Sequence, residues 1–173
     1  DALRSAITEF YGNDPTTSDS YGRIVSSRHF DRLTSMLNDG TVAIGGHSDA
    51  SSRYIAPTVL TDVRTDSRIM SEEIFGPLLP IIPVSSLDEA VTFITDRPHP
   101  LALYVFAENR GVVDTVLART TAGGVTVNGW AMHWFEPQLP FGGVNESGIG
   151  RYHGIHGFRE VSHERSVFVQ PAA

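Results

Sequence analysis

Glu72 and Glu73 stand side by side in Ser71-Glu72-Glu73-Ile74-Phe75-Gly76-Pro77, next to an aliphatic and an aromatic residue and just before a Gly-Pro stop. An ionised carboxylate accepts hydrogen bonds on two oxygens and can clasp a vicinal diol such as a ribose, while a neighbouring Phe can face a flat ring. Two acids on a solvated helix end would carry no chemistry. Here the apolar run 78–84 begins at once and draws the turn down onto a buried strand, so one carboxylate is expected at a cleft.

A second group of residues follows Asn128, where Trp130, His133, Trp134, Phe135 and Phe141 crowd a short stretch that Pro137 and Pro140 make a loop. A loop at the carboxyl end of a parallel strand is where open α/β sheets place their ligands. As residues alone, this one reads equally as a pocket wall or as an apolar plug. His153 and His156 lie three apart, but no third ligand accompanies them, and they read as surface or capping histidines rather than a metal site. Gly148-Ile149-Gly150-Arg151-Tyr152-His153-Gly154 imitates a nucleotide-binding turn, yet it follows a polar loop instead of a strand and reads as a structural turn. No Ser sits in a Gly-x-Ser-x-Gly turn, which leaves hydrolysis without support. Cysteine is absent, which removes disulfides, thiolate metal ligation and a thiol nucleophile together.

The elements that must position these residues are legible in the periodicity. Leu3, Ile7, Phe10 and Tyr11 recur at helical spacing before Gly12, and Phe30, Leu33 and Leu37 mark a second helix over 27–38 with a solvated charged face. Short strands are expected at 41–44 and 54–60 around a polar turn. A strand at 78–84 leads to Ser86 and Glu89, a capping box opening a helix with the stripe Leu87, Ala90, Val91 and Ile94. The run 101–107 reads as a strand buried on both faces. Val112, Val113, Val116 and Leu117 make another helix, and 125–127 a further strand, with a last helix near 155–162 and a strand at 166–169. The resulting β-α-β-α-β order predicts an α/β fold, a parallel, partly mixed sheet flanked by helices, within a single domain over residues 1–173.

Composition narrows the classes. The chain has 173 residues, 40% hydrophobic and 19% charged, which suits one domain with a real core. A net charge of −7 with 13 scattered Lys and Arg argues against a nucleic-acid partner. Apolar runs fall far short of the roughly 20 residues that span a bilayer, so no membrane segment is expected. The start shows neither a leader nor a Met, so the sequence reads as beginning inside a longer protein, with cytoplasm as the default location.

The acidic turn, together with Leu139-Pro140-Phe141-Gly142-Gly143 and Ser147-Gly148-Ile149-Gly150, resembles the aldehyde dehydrogenase superfamily. The likeness extends through Tyr21-Gly22-Arg23-Ile24, Tyr54-Ile55-Ala56-Pro57-Thr58, Leu101-Ala102-Leu103-Tyr104-Val105-Phe106 and Gly123-Gly124-Val125-Thr126-Val127-Asn128, and it is strongest to the fatty-aldehyde, class-3-like branch. The resemblance implies the carboxyl-terminal part of a catalytic domain. In that family a thiolate attacks an aldehyde, hydride passes to NAD or NADP, and a water activated by a glutamate releases the acid. The resemblance implies that Glu73 binds the nicotinamide ribose hydroxyls and that Phe75 meets the nicotinamide end, with Glu72 the weaker candidate. Trp130, His133, Trp134 and Phe141 would line the aldehyde side. The dinucleotide-binding region, the nucleophile and the general base would all lie upstream, so no catalytic residue is assigned and the isolated chain is expected to be inactive. Assembly as a homo-oligomer, or with the missing amino-terminal part, is also implied. The alternative is a non-catalytic remnant that binds or oligomerises.

Overall fold

The computed structural model describes residues 1–172, which divide into two compact units, the first Asp1–Pro83 and the second beginning at Val84. In the first, α1 (Ala2–Tyr11) ends at Gly12, whose amide bonds Thr8 O at 2.9 Å with φ 79°, a backbone conformation that glycine adopts freely. Helix α2 (Ser27–Met36) starts where the Ser26 hydroxyl accepts the His29 amide at 3.3 Å, and a 3₁₀ turn over Leu37–Asp39 finishes it. Its apolar face is Phe30, Leu33 and Met36, all buried, with Leu33 and Met36 shut off from solvent completely. Burial of two such side chains contributes about 2–3 kcal/mol each.

That face packs on Ile55, Leu60, Val63, Ile69 and Leu78. The sheet beneath it is mixed: β1 (Thr41–Ile44) runs antiparallel to β4 (Thr58–Thr61), and β4 parallel to β5 (Leu78–Pro80). Strands β2 (Ser48–Asp49) and β3 (Tyr54–Ile55) form a separate hairpin. The expected strand over 54–60 is therefore two strands in two sheets. Pro57 has no N–H to continue a ladder, and the chain changes partners across it, Ala56 N bonding His47 O at 2.9 Å and Thr58 N bonding Pro77 O at 2.8 Å.

In the second unit, α3 (Leu87–Thr95) has the Ser86 hydroxyl accepting the Glu89 amide at 3.1 Å, while the Glu89 carboxylate reaches back to Ser85 N and Oγ instead of Ser86. The capping box is thus displaced by one residue. Strands β6 (Ala102–Val105) and β7 (Gly124–Val127) pair in parallel, connected by α4 (Arg110–Arg119), and Val105, Val113 and Val116 form the core. The strand at 78–80 takes β4 as its ladder partner, so the continuous β-α-β-α-β sheet expected from the sequence is realised as two sheets with parallel pairs. A short helix α5 (Met132–Phe135) stands inside the aromatic segment expected to be a loop, and α6 (Gly154–Glu160) closes the described helices. The strand expected at 166–169 does not form: among the described residues it has no ladder partner, and Val167, Phe168 and Val169 are exposed.

Candidate functional site

The acidic turn is held from α2. Arg32 donates from Nη1 to Glu73 O at 3.1 Å and from Nη2 to Ile74 O at 2.6 Å, so its planar fork spans two consecutive carbonyls. Its side chain is only 17% exposed, against the expectation that the charged face of this helix is solvated. The turn must lie close on α2, because a Cβ at Gly76 would come within 2.6 Å of Leu33 Cδ1. Just before it, Phe75 has φ 46° and is 82% exposed. A left-handed aromatic residue costs about 1 kcal/mol or more, and here it turns the ring outward, away from the core.

The two carboxylates have different partners. Glu72 accepts from Arg68 Nε at 2.6 Å and lies 3.8 Å from Arg32, and the Arg68 hydrogen bond holds its pKa below the ordinary carboxylate value. Glu73 makes no side-chain hydrogen bond or ion pair among the described residues. Both line an open cavity of about 530 Å³ together with His29, Arg32 and Phe75. A neighbouring cavity of about 300 Å³ shares His29 and Phe75 and adds Arg23, Ile24 and Val25. One free carboxylate, an outward aromatic ring, an imidazole and a guanidinium suit a polyhydroxylated ligand that carries a flat ring. His29 and Arg32 escaped the sequence reading, since they lie more than 40 positions before the turn and no local pattern marks them.

In the second unit the aromatic segment is built on the end of β7. Asn128, at φ 51°, uses its side-chain amide as an extra rung of the ladder: Ala107 N donates to Oδ1 at 2.9 Å and Nδ2 donates to Ala107 O at 3.0 Å. Ala131, at φ 56°, then starts α5. Trp130 is exposed, and Trp134 packs on Phe135 with centroids 4.8 Å apart and on Phe141 at 6.5 Å. His133 is buried, so it reaches the wall from behind, its ring stacked 6.1 Å from Phe141. On another side Phe141 stacks on His153 at 5.7 Å, and Tyr152 meets it edge-on at 5.5 Å while its backbone pairs with that of Phe141. Trp134, His133 and Phe141 thus form one aromatic cluster. Thr126, Tyr152 and His153 join it, the last of them read from the sequence as a surface or capping histidine. Among the described residues no three His, Asp or Glu gather as metal ligands, and no helix is long and apolar enough to cross a membrane.

The aldehyde dehydrogenase family profile matches residues 1–167. A bovine protein described as aldehyde dehydrogenase, dimeric NADP-preferring, is 52% identical over 169 residues, which cover 98% of this chain and 71% of the relative. Human aldehyde dehydrogenase family 3 member B1 is 53% identical over 169 residues, and there the chain spans only 36% of the relative's length. The solved substrate-bound state of Staphylococcus aureus AldH superposes with a TM-score of 0.89 at 46% identity, covering 99% of this chain and 39% of that one. By these matches the chain belongs to the aldehyde dehydrogenase family and corresponds to a portion of its longer members.

Proposed function

We propose that this chain supplies the nicotinamide-ribose edge and the aldehyde-side wall of an NAD- or NADP-dependent aldehyde dehydrogenase, as one partial catalytic domain completed by an upstream segment. The observation that carries this reading is the cavity lined together by the exposed Phe75, His29, Arg32 and Glu73, whose carboxylate has no partner among the described residues. The cofactor, when bound, accepts the hydride that leaves the substrate carbon. Glu73 accepts hydrogen bonds from the ribose hydroxyls and so fixes the ring end, and Phe75 presses on the flat ring. Trp130, Trp134 and Phe141 orient the aldehyde, with His133 behind them. The bovine relative, described as NADP-preferring, supports NADP as one form of that cofactor.

Without cysteine among its 173 residues the chain has no thiolate to attack the aldehyde, so alone it forms no hydride donor. That same lack favours, for the isolated chain, the second reading of a binding or oligomerising module. The test is a chimera in which residues 1–167 replace the matching segment of the human relative. The chimera should oxidise aldehydes. Glu73→Gln should lower its hydride transfer by about 10- to 100-fold, since one charge-assisted bond is worth roughly 1.5–3 kcal/mol. Unchanged kinetics toward cofactor and aldehyde would reduce Glu73 to a surface acid.

A further inference from the structure

The imidazole of His133 is used by none of the roles above, yet the structure builds a chamber for it. The residue is 6% exposed, and its Nε2 is shielded from solvent without a hydrogen-bond partner. A buried polar atom left unpaired is destabilising, so its retention at such a place asks for a compensating function. The other ring nitrogen is tightly held: Nδ1 lies 2.7 Å from Thr126 Oγ1, and the same oxygen accepts the backbone N–H of His133 at 3.1 Å. The hydroxyl keeps a hydrogen and a second lone pair after accepting that N–H, so it bonds Nδ1 in either tautomer of the ring and fixes its orientation both ways. Thr126 is itself buried on β7, so two bonds tie the ring and its backbone to one strand residue. The space is made by Gly124, where a Cβ would come within 2.4 Å of His133 Cδ2 and 2.8 Å of Nε2. The fixed ring then presents its flat face to Phe141 with an interplanar angle of 23°.

From this geometry we infer that His133 is a positioning residue: Thr126 and Gly124 set its ring as a shelf that fixes the depth of Phe141, and through Phe141 the size of aldehyde accepted. The inference rests on the reading of Phe141 as part of the aldehyde wall. It assigns His133 no contact with substrate. The shelf can be moved in two opposite directions. His133→Ala removes it and lets Phe141 sink, while Gly124→Ala pushes the ring outward and lifts Phe141.

The first test uses the 173-residue chain itself, by NMR. The Phe141 ring protons should shift in both variants. Phe141 resonances left in place by both would overturn the inference. The second test uses the chimera with the human relative and compares kcat/KM for a bulky aromatic aldehyde with that for a short aliphatic one. His133→Ala should move the ratio by about tenfold toward the bulky substrate and Gly124→Ala by a similar factor away from it, the range that a small change in an apolar pocket commands. Mere destabilisation would lower both substrates alike in both variants, and parallel losses would overturn the inference. An inactive wild-type chimera would speak against the proposed function, with the shelf still decided by the NMR result.

Discussion

Arg32 offers the most direct way to perturb the acidic turn without substituting either glutamate, although it also takes away the 3.8 Å ion pair with Glu72. Arg32→Ala removes two hydrogen bonds from a charged fork to the carbonyls of Glu73 and Ile74, at 3.1 and 2.6 Å. Bonds to a charged group contribute about 1.5–3 kcal/mol each; at the low end, taken because both acceptors are neutral carbonyls, their joint loss is worth about 3 kcal/mol to the closed turn. That converts to about a hundredfold rise in the population of the opened turn. A protease that cleaves after glutamate reads this population when closing is faster than cutting. Cleavage at Glu73 should therefore accelerate by about two orders of magnitude, with α1 and β6 left intact. Arg32→Lys keeps the charge but offers a single point donor, so it should recover no more than about half of the lost free energy. If Arg32→Ala is cut no faster than the parent, the fork does not hold the turn. If Arg32→Lys matches the parent, charge rather than the two-pronged geometry is responsible.

Other consequences follow at separate places. Tyr21, whose hydroxyl donates to Ile55 O at 2.6 Å and whose pKa burial pushes upward, should lose about 1–2 kcal/mol of stability in Tyr21→Phe by leaving a core carbonyl unpaired, readable as a lowered denaturant midpoint at constant slope. Glu72 is held below its ordinary value of 4.5 chiefly by the Arg68 hydrogen bond, so its contribution to the turn is complete above that value and is lost as pH falls through the lower folded one. Acid titration of the glutamate-specific cleavage should accordingly show opening only below about 4.5, and Arg68→Ala should shift its onset upward. Finally, with Phe106, Phe158, Val167, Phe168 and Val169 all exposed, the isolated chain should associate, and a monodisperse species of 18.9 kDa at micromolar concentration in light scattering would refute that.

The helices were legible because their apolar stripes and caps are local. Phe30, Leu33 and Leu37 announce α2, and Ser86 announces α3, within one or two residues of where each begins. Strand partners were less so. Nothing local says that the run at 78 pairs with β4, since a ladder is chosen by tertiary packing, and only Pro57 hints that the run at 54–60 must break. At the site, the residue types of Glu73, Phe75 and Phe141 were visible, whereas the groups that hold them were not. Arg32 reads as one more surface charge on a helix until its fork is seen on a turn 41 residues away. His133 shows the converse. The family resemblance implied a place for it on the aldehyde side, and nothing in the sequence announced that Thr126 of the adjacent β7 would bond its buried ring.

Both aromatic edges use one physical device. At each, a non-glycine residue takes a left-handed conformation, Phe75 at φ 46° and Asn128 at φ 51°, which is unfavourable for an aromatic residue and easier for an asparagine, and each is held there by its neighbours. At the first edge the determination comes from Arg32 across to the backbone of Glu73 and Ile74; at the second it comes from the Asn128 amide closing on Ala107. Each clamp joins a side chain to backbone polar groups, so it fixes direction as well as distance. The strain is stored beside the residues proposed to meet ligand, and the groups that hold it lie one layer back. Substitutions in that layer should therefore reduce the precision with which cofactor and aldehyde are placed before they unfold the chain, and they should do so at Arg32 and Asn128 more than at any exposed position of the aromatic wall.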